Sequence, residues 1–499
     1  MSIFAIFLRH PMNGLYILLT ILVYFGLLLV VSHFTGKNAD NDTFFRGNRN
    51  SPWYLVAFGM IGASLSGVTF VSVPGMVRYI DMTYMQTCLG FYFGYLVIAQ
   101  VLLPLYYRLN LTSIYTYLKT RFGRCTYKTG ASFFLVSKMV SAAARLYLVA
   151  IILQQFVFEN LHIPFGMTII GILVLIWLYT RKSGIKAIVW TDSFQTLCML
   201  VSLVLIIWQV GHLLHLDLAG MVRTIREHPY SRIFEWSDWH STQHFVKQFV
   251  SGIFITIVMT GLDQDMMQKN LSCRTLKESQ KNMYWYGLAF VPVNLLFLSL
   301  GILLTVLAGE MGMDLPAKGD EMLPLFAAGG YLGYGVLVSF TIGIIAAAFS
   351  SADSALTALT TSCCIDLLET DKMSRERAEK TRKRIHLAIT AVFILFILLF
   401  KALDNSSIID ALFTIVSYTY GPLLGLYAYG LFTRRATQDR YVPYIAIASP
   451  IICYVINQLT VSLWNYKFGY ELLMFNGLLT FMGLWLLNFN QKKTETYGN

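Results

Sequence analysis

Charge-free stretches constrain this chain more than any other feature of its sequence. Runs at 11–36, 50–77, 82–107, 160–180, 282–309, 441–466 and 472–491 contain no Asp, Glu, Lys or Arg. Each is long enough to cross a hydrocarbon layer about 30 Å thick at about 1.5 Å per helical residue. Inside lipid every backbone polar group needs a partner, and a helix supplies it from within one segment. The chain therefore reads as an all-α polytopic membrane protein. Charged residues make up 13% of its 499 positions, against about 25% in an ordinary soluble domain, which excludes a soluble enzyme.

Six looser segments, around 129–158, 187–211, 248–262, 333–365, 385–400 and 411–433, raise the expected number of transmembrane helices to thirteen. An odd number puts the termini on opposite faces. With the amino end outside, 27 of the 38 Lys and Arg fall in cytoplasmic loops or the tail and 9 outside, while Lys138 and Arg145 lie within a helix. Basic residues in short loops set membrane orientation, so the expectation is an external amino terminus and a cytoplasmic carboxy terminus in a plasma or inner membrane. The same distribution explains the net charge of +11 without nucleic acid. Arg9 precedes the first helix and no small-residue cleavage pattern follows it, which favours an uncleaved anchor. Loops are short and no Gly/Ser or Pro-rich linker intervenes, so a single membrane domain is expected over 1–499. Seven scattered cysteines read as buried thiols.

Two hydrophilic segments have modest readings. His212 to Lys247 carries five of the nine histidines, with His240 and His244 beside Asp238, but Trp236 and Trp239 make an interfacial amphipathic stretch a better account than a metal site. Asp371 to Arg384 reads as a solvated charged connector.

Polar residues inside the apolar runs carry the chemistry. The second helix holds Gly59, Gly62, Ser64, Ser66, Gly67 and Thr69 in one cluster, with Gly62 about 18 Å beyond Asn50 at 1.5 Å per residue. The seventh, an unusually short run, holds Ser251, Gly252, Thr256, Thr260 and Gly261. Paired interrupted helices, each opening a five-helix half, point to an inverted-repeat transporter with its binding site near the midplane. Small residues serving only close helix packing are the competing account.

In the ninth helix Ala347, Ser350, Ser351 and Ser354 share one face by their i, i+3, i+4, i+7 spacing. Hydroxyls there, with carbonyls freed where the second helix unwinds, are hard oxygen donors suited to a small cation such as sodium. Intramembrane carboxylates are costly, and Asp192 and Asp353 both fall in the cytoplasmic halves of their helices, where both could meet one ion. Capping of nearby backbone is the alternative for each. A serine-hydrolase reading of Ser350 or Ser351 fails for want of a histidine at that depth.

Taken in order, several motifs resemble the sodium/solute symporter family, which includes bacterial sugar, sialic-acid and proline symporters and mammalian glucose, iodide and monocarboxylate transporters. They are Arg46 to Trp53 leading into Ala63 to Phe70 and Pro74-Gly75, Tyr115 to Gly123, Trp190 to Gln195, Gly261 to Gln268, Ala347 to Ser354, and Tyr420 to Gly425. The resemblance implies a LeuT-type 5+5 inverted repeat over about 50–433, with one extra helix before it and two after. It implies a principal sodium site made by carbonyls of Gly62, Leu65 and Ala347 and hydroxyls of Ser350 and Ser351. Gly62 stands where relatives often have Ala, which changes nothing for a carbonyl ligand. Some relatives hold a second sodium at positions matching Asp192, Ser350, Asp353 and Ser354, and here Asp353 replaces a hydroxyl. An added carboxylate there would strengthen a cation site or take up a proton.

The same resemblance points to Ser64, Ser66, Thr69, Gln86, Arg145, Thr256, Met259 and Tyr420 as substrate contacts. Sugar-carrying relatives have Glu-Gln at Val68-Thr69 and often an aromatic at Met259. Arg145 suits bidentate contact with a carboxylate, so the expected cargo is a small organic anion, sialic-acid-like or a monocarboxylate. Snorkelling of Lys138 or Arg145 to an interface is the alternative. A neutral solute such as a sugar is the other cargo class. A membrane sensor on a symporter core is disfavoured by the roughly ten residues after the last helix. An enzyme lacks a nucleophile with its base, and no cofactor beyond sodium as coupling ion is expected.

Overall fold

The computed structural model describes residues 12–35, 40–159, 162–403, 408–464, 466 and 468–488. Arg9, Lys37, Lys467, Lys492 and Lys493, which entered the charge count, lie outside the described residues. Among the described residues the thirteen apolar runs correspond to fourteen principal helices, because the second run breaks, and a fifteenth short helix follows the seventh run at a sharp bend. The first run is α1 (Met12–Thr35), and the second divides into α2 (Trp53–Ser64) and α3 (Gly67–Ile80), bent by 59°. Then follow α4 (Tyr84–Arg108), α5 (Arg124–Leu153), α6 (Phe165–Ser183) and α7 (Ile185–Leu213). The second half opens on α8 (Phe245–Gly261) and α9 (Gln264–Asn270), bent by 70°. It continues through α10 (Leu276–Glu310), α11 (Tyr334–Leu367), α12 (Arg375–Leu403) and α13 (Ile408–Phe432), followed by α14 (Val442–Trp464) and α15 (Leu472–Leu487).

Among the described residues seven helices are long and apolar enough to cross a membrane, or nine if each bent pair is one span. Their outward faces are apolar. Along α14, Ile447, Ile451, Tyr454 and Val455 form an exposed stripe at helical spacing, a surface with no place in water. The fold is the LeuT-type inverted repeat, each half opening on a broken helix.

Local chemistry accounts for the breaks. Ser64, Ser66 and Gly67 are weak helix formers, and Leu65 (φ −79°, ψ 78°) and Ser66 (φ −68°, ψ 169°) leave the helical region. Five residues of α8, Ile257–Gly261, form a π-turn, and the chain then turns at Leu262 and Asp263. Asp263 caps α9, accepting from the Asp265 N–H at 2.8 Å. Glycine elsewhere sets helix spacing. A Cβ on Gly62 would lie 2.0 Å from Thr196 Oγ1, so α2 and α7 touch there, and a Cβ on Gly252 would lie 2.4 Å from the Thr87 carbonyl. Close packing, the competing account of the small residues, thus holds for Gly62 as well as for Gly252.

One expectation about the connecting segments is corrected. Asp371 to Arg384 is not uniformly solvated: α12 begins at Arg375, and Arg382 is buried over the Phe44 ring at 4.2 Å, donating to Asn41 Oδ1 at 2.8 Å. Arg and Glu are good helix formers, so the helix extends past its apolar part. On the other segment His244 accepts from the Val246 N–H and packs on Trp239, and no cluster of three metal-ligating side chains occurs among the described residues.

Candidate functional site

A cavity of about 140 Å³ lies between the two breaks. Ser64, Ser66 and Thr69 line it from the first break, Thr256 and Met259 from the second, Arg145 from α5 and Tyr420 from α13. Seven of the eight expected substrate residues therefore converge. Gln86 does not. It is buried, donates through Nε2 to the Gln243 carbonyl at 2.9 Å and accepts on Oε1 from the Glu235 N–H at 3.0 Å. Those two bonds anchor the 229–244 segment to α4, which occupies the amide that a substrate would otherwise use.

Three charged residues that sequence reasoning did not assign to the site also line the cavity. Lys138 Nζ lies 3.1 Å from Asp263 Oδ2 and 2.7 Å from Asp265 Oδ2, and Tyr420 donates to Asp263 Oδ2 at 2.8 Å. Lys138 is thus paired inside the protein and does not snorkel. Asp263 and Asp265 stand within the quoted Gly261 to Gln268 motif, and two carboxylates directly after an apolar run were the available signal. Arg145 differs: among the described residues its guanidinium has no hydrogen bond or ion pair, although it borders the cavity. On the opposite wall the Ser64 and Tyr286 hydroxyls are hydrogen-bonded, and Tyr95 donates to Tyr286 at 2.8 Å.

The expected sodium ligands occupy two facing elements. Gly62 lies in the last turn of α2, where a carbonyl has lost its i+4 donor because Ser66 is extended, and Leu65 sits in the break itself. Across from them α11 packs on both α2 and α3 and carries Ala347, Ser350 and Ser351, all buried. Ser351 reaches the cavity and donates to the Ala348 carbonyl at 2.9 Å. Ser350 donates to Asp192 Oδ1 at 2.6 Å, which leaves its lone pairs available to a cation.

Residues 44–440 match the sodium:solute symporter family. The chain belongs to that family. It is 25% identical to the sodium/sialic acid symporter NanT of Aliivibrio fischeri, over 84% of this chain and 84% of that one. It is also 25% identical to the human sodium/iodide cotransporter, over 83% of this chain and 64% of that one. Among solved structures, a substrate-bound, outward-open Na+-coupled sialic acid symporter superposes with a TM-score of 0.82 at 21% identity, covering 96% of this chain and 100% of that chain. The family is one of transporters that move small solutes with sodium, not of enzymes.

In this symporter the expected second-cation residues are only partly assembled. Asp192, Ser350 and Ser354 meet, with Ser354 Oγ 3.4 Å from Asp192 Oδ2. Asp353 accepts on Oδ2 from Tyr179 at 2.8 Å, and its Oδ1 has no hydrogen-bond partner among the described residues. A residue not anticipated, Lys269 of α9, places Nζ 2.7 Å from Asp192 Oδ2 and 3.7 Å from Asp265 Oδ1. A cation one residue past the quoted motif was the only sequence signal for it.

Proposed function

We propose that this sodium:solute symporter imports a small organic anion, sialic-acid-like or a monocarboxylate, by alternating access. The observation that carries the reading is Arg145, a guanidinium beside the cavity that makes no hydrogen bond or ion pair among the described residues, whereas Lys138 pairs directly with Asp263 and Asp265. A guanidinium in a site of restricted water is costly unless an anion completes it, and its planar fork fits a carboxylate. Ser64, Ser66 and Thr69, which line the same cavity, supply hydroxyls for the polar remainder of such a solute. The named relatives that carry sialic acid or iodide are in keeping with an anionic cargo.

Sodium binds, in this proposal, to the carbonyls of Gly62, Leu65 and Ala347 and the hydroxyls of Ser350 and Ser351. The thirteen apolar runs each cross the plasma or inner membrane within a single transport domain, with the amino terminus outside. The cytoplasmic bias of Lys and Arg supports that orientation. Uptake of sialic acid, lactate and a neutral hexose into proteoliposomes, by the parent and by Arg145→Lys, tests the cargo class. The reading requires carboxylate uptake that Arg145→Lys impairs. A neutral hexose as the preferred solute, with transport indifferent to Arg145, would overturn it.

A further inference from the structure

A buried ion pair lies outside the solute cavity. Lys269 is 1% exposed and Asp192 is fully buried, and their 2.7 Å ion pair joins α9 to α7. Asp192 is simultaneously the acceptor for Ser350 and Ser354, both on α11. One carboxylate and two hydroxyls are the donor set of a small-cation site, and here the chain's own ammonium completes it. Lys269 lies 3.7 Å from Asp265, which in turn pairs with Lys138. The other nearby carboxylate, Asp353, takes the Tyr179 hydroxyl and forms no ion pair with Lys269.

A sodium ion added at Asp192 would stand beside that ammonium with little water between them, and like charges at such range repel strongly in a low dielectric. It would also have to displace a partner that the covalent chain holds at high effective concentration. We propose that Lys269 acts as a tethered cation at the Asp192–Ser350–Ser354 position, so that this symporter binds one sodium, at the first break, and no second sodium at Asp192. Ser350 joins the two positions. It donates a hydrogen bond to Asp192, which leaves its lone pairs for the sodium, so the fixed charge would orient a ligand of the exchangeable one. This inference rests on the sodium-coupled reading above.

The test is equilibrium binding of radioactive sodium to the purified full chain, with potassium as competitor control. The parent should bind one sodium per chain. Lys269→Gln, which frees the carboxylate, should bind two. Because Lys269→Gln leaves a buried charge unpaired, at a cost to stability, the neutral double variant Asp192→Asn/Lys269→Gln is measured beside it and should still bind one. Two sodium ions in the parent, one in folded Lys269→Gln, or none in a folded double variant would each overturn the inference. A parent that binds no sodium would instead remove the symport reading on which it rests, and the inference with it.

Discussion

At the first helix break the exposed backbone is left open, whereas at the second it is closed by the protein itself. Among the described residues no side chain donates to the carbonyls of Gly62 or Leu65, and the surrounding Ala63 to Ser66 segment is uncharged. At the second, Tyr106 donates to the Gly261 carbonyl and Tyr115 to the Leu262 carbonyl, both at 2.9 Å, while Asp263 caps the helix that follows. Buried carbonyls without donors are costly unless something positive meets them. On the function proposed above, the pair of breaks divides the labour: the first would present its oxygens to an exchangeable cation, and the second is a polar wall with its own fixed charges.

The largest effect should come from breaking the charge balance of the second break. Lys138→Met leaves Asp263 and Asp265 without their shared cation and should cost about 3–5 kcal/mol of stability, read as a fall in melting temperature in detergent with sodium held constant. A variant as stable as the parent would mean that the wall does not depend on its ion pairs. Next in size is Arg145→Lys. Replacing a bidentate fork with a point charge should weaken solute affinity by about 10- to 100-fold while sodium affinity stays near the parent's. A parallel loss of both affinities would merge the two regions that the comparison separates. Smaller still is Tyr115→Phe, which removes one neutral hydrogen bond and should cost about 1 kcal/mol of stability.

Gly and Ser clusters in otherwise apolar runs marked both breaks in the sequence, and Ala347, Ser350, Ser351 and Ser354 fall on the one helix α11, as their spacing required. Other features depend on contacts between distant segments and leave no local pattern. Gln86 is drawn out of the site by Glu235 and Gln243, which lie in an aperiodic segment. Lys269 lies at the far end of a seven-residue helix, and only the 70° bend before it turns its ammonium towards Asp192. The solute contacts carried over from the family resemblance reached the cavity wherever they sit on the breaks or on α5 and α13, and failed at Gln86 where a loop had claimed the side chain.

The division of labour between the breaks is tested most directly by titrating sodium against uptake in proteoliposomes for Ser351→Ala and Tyr115→Phe side by side. Losing the α11 hydroxyl that faces the first break should lower apparent sodium affinity about tenfold, about 1.4 kcal/mol, at near-normal expression. Losing a donor from the second should leave it unchanged. Equal sodium dependence in the parent and both variants, or a greater loss in Tyr115→Phe, would contradict the assignment of the coupling ion to the first break.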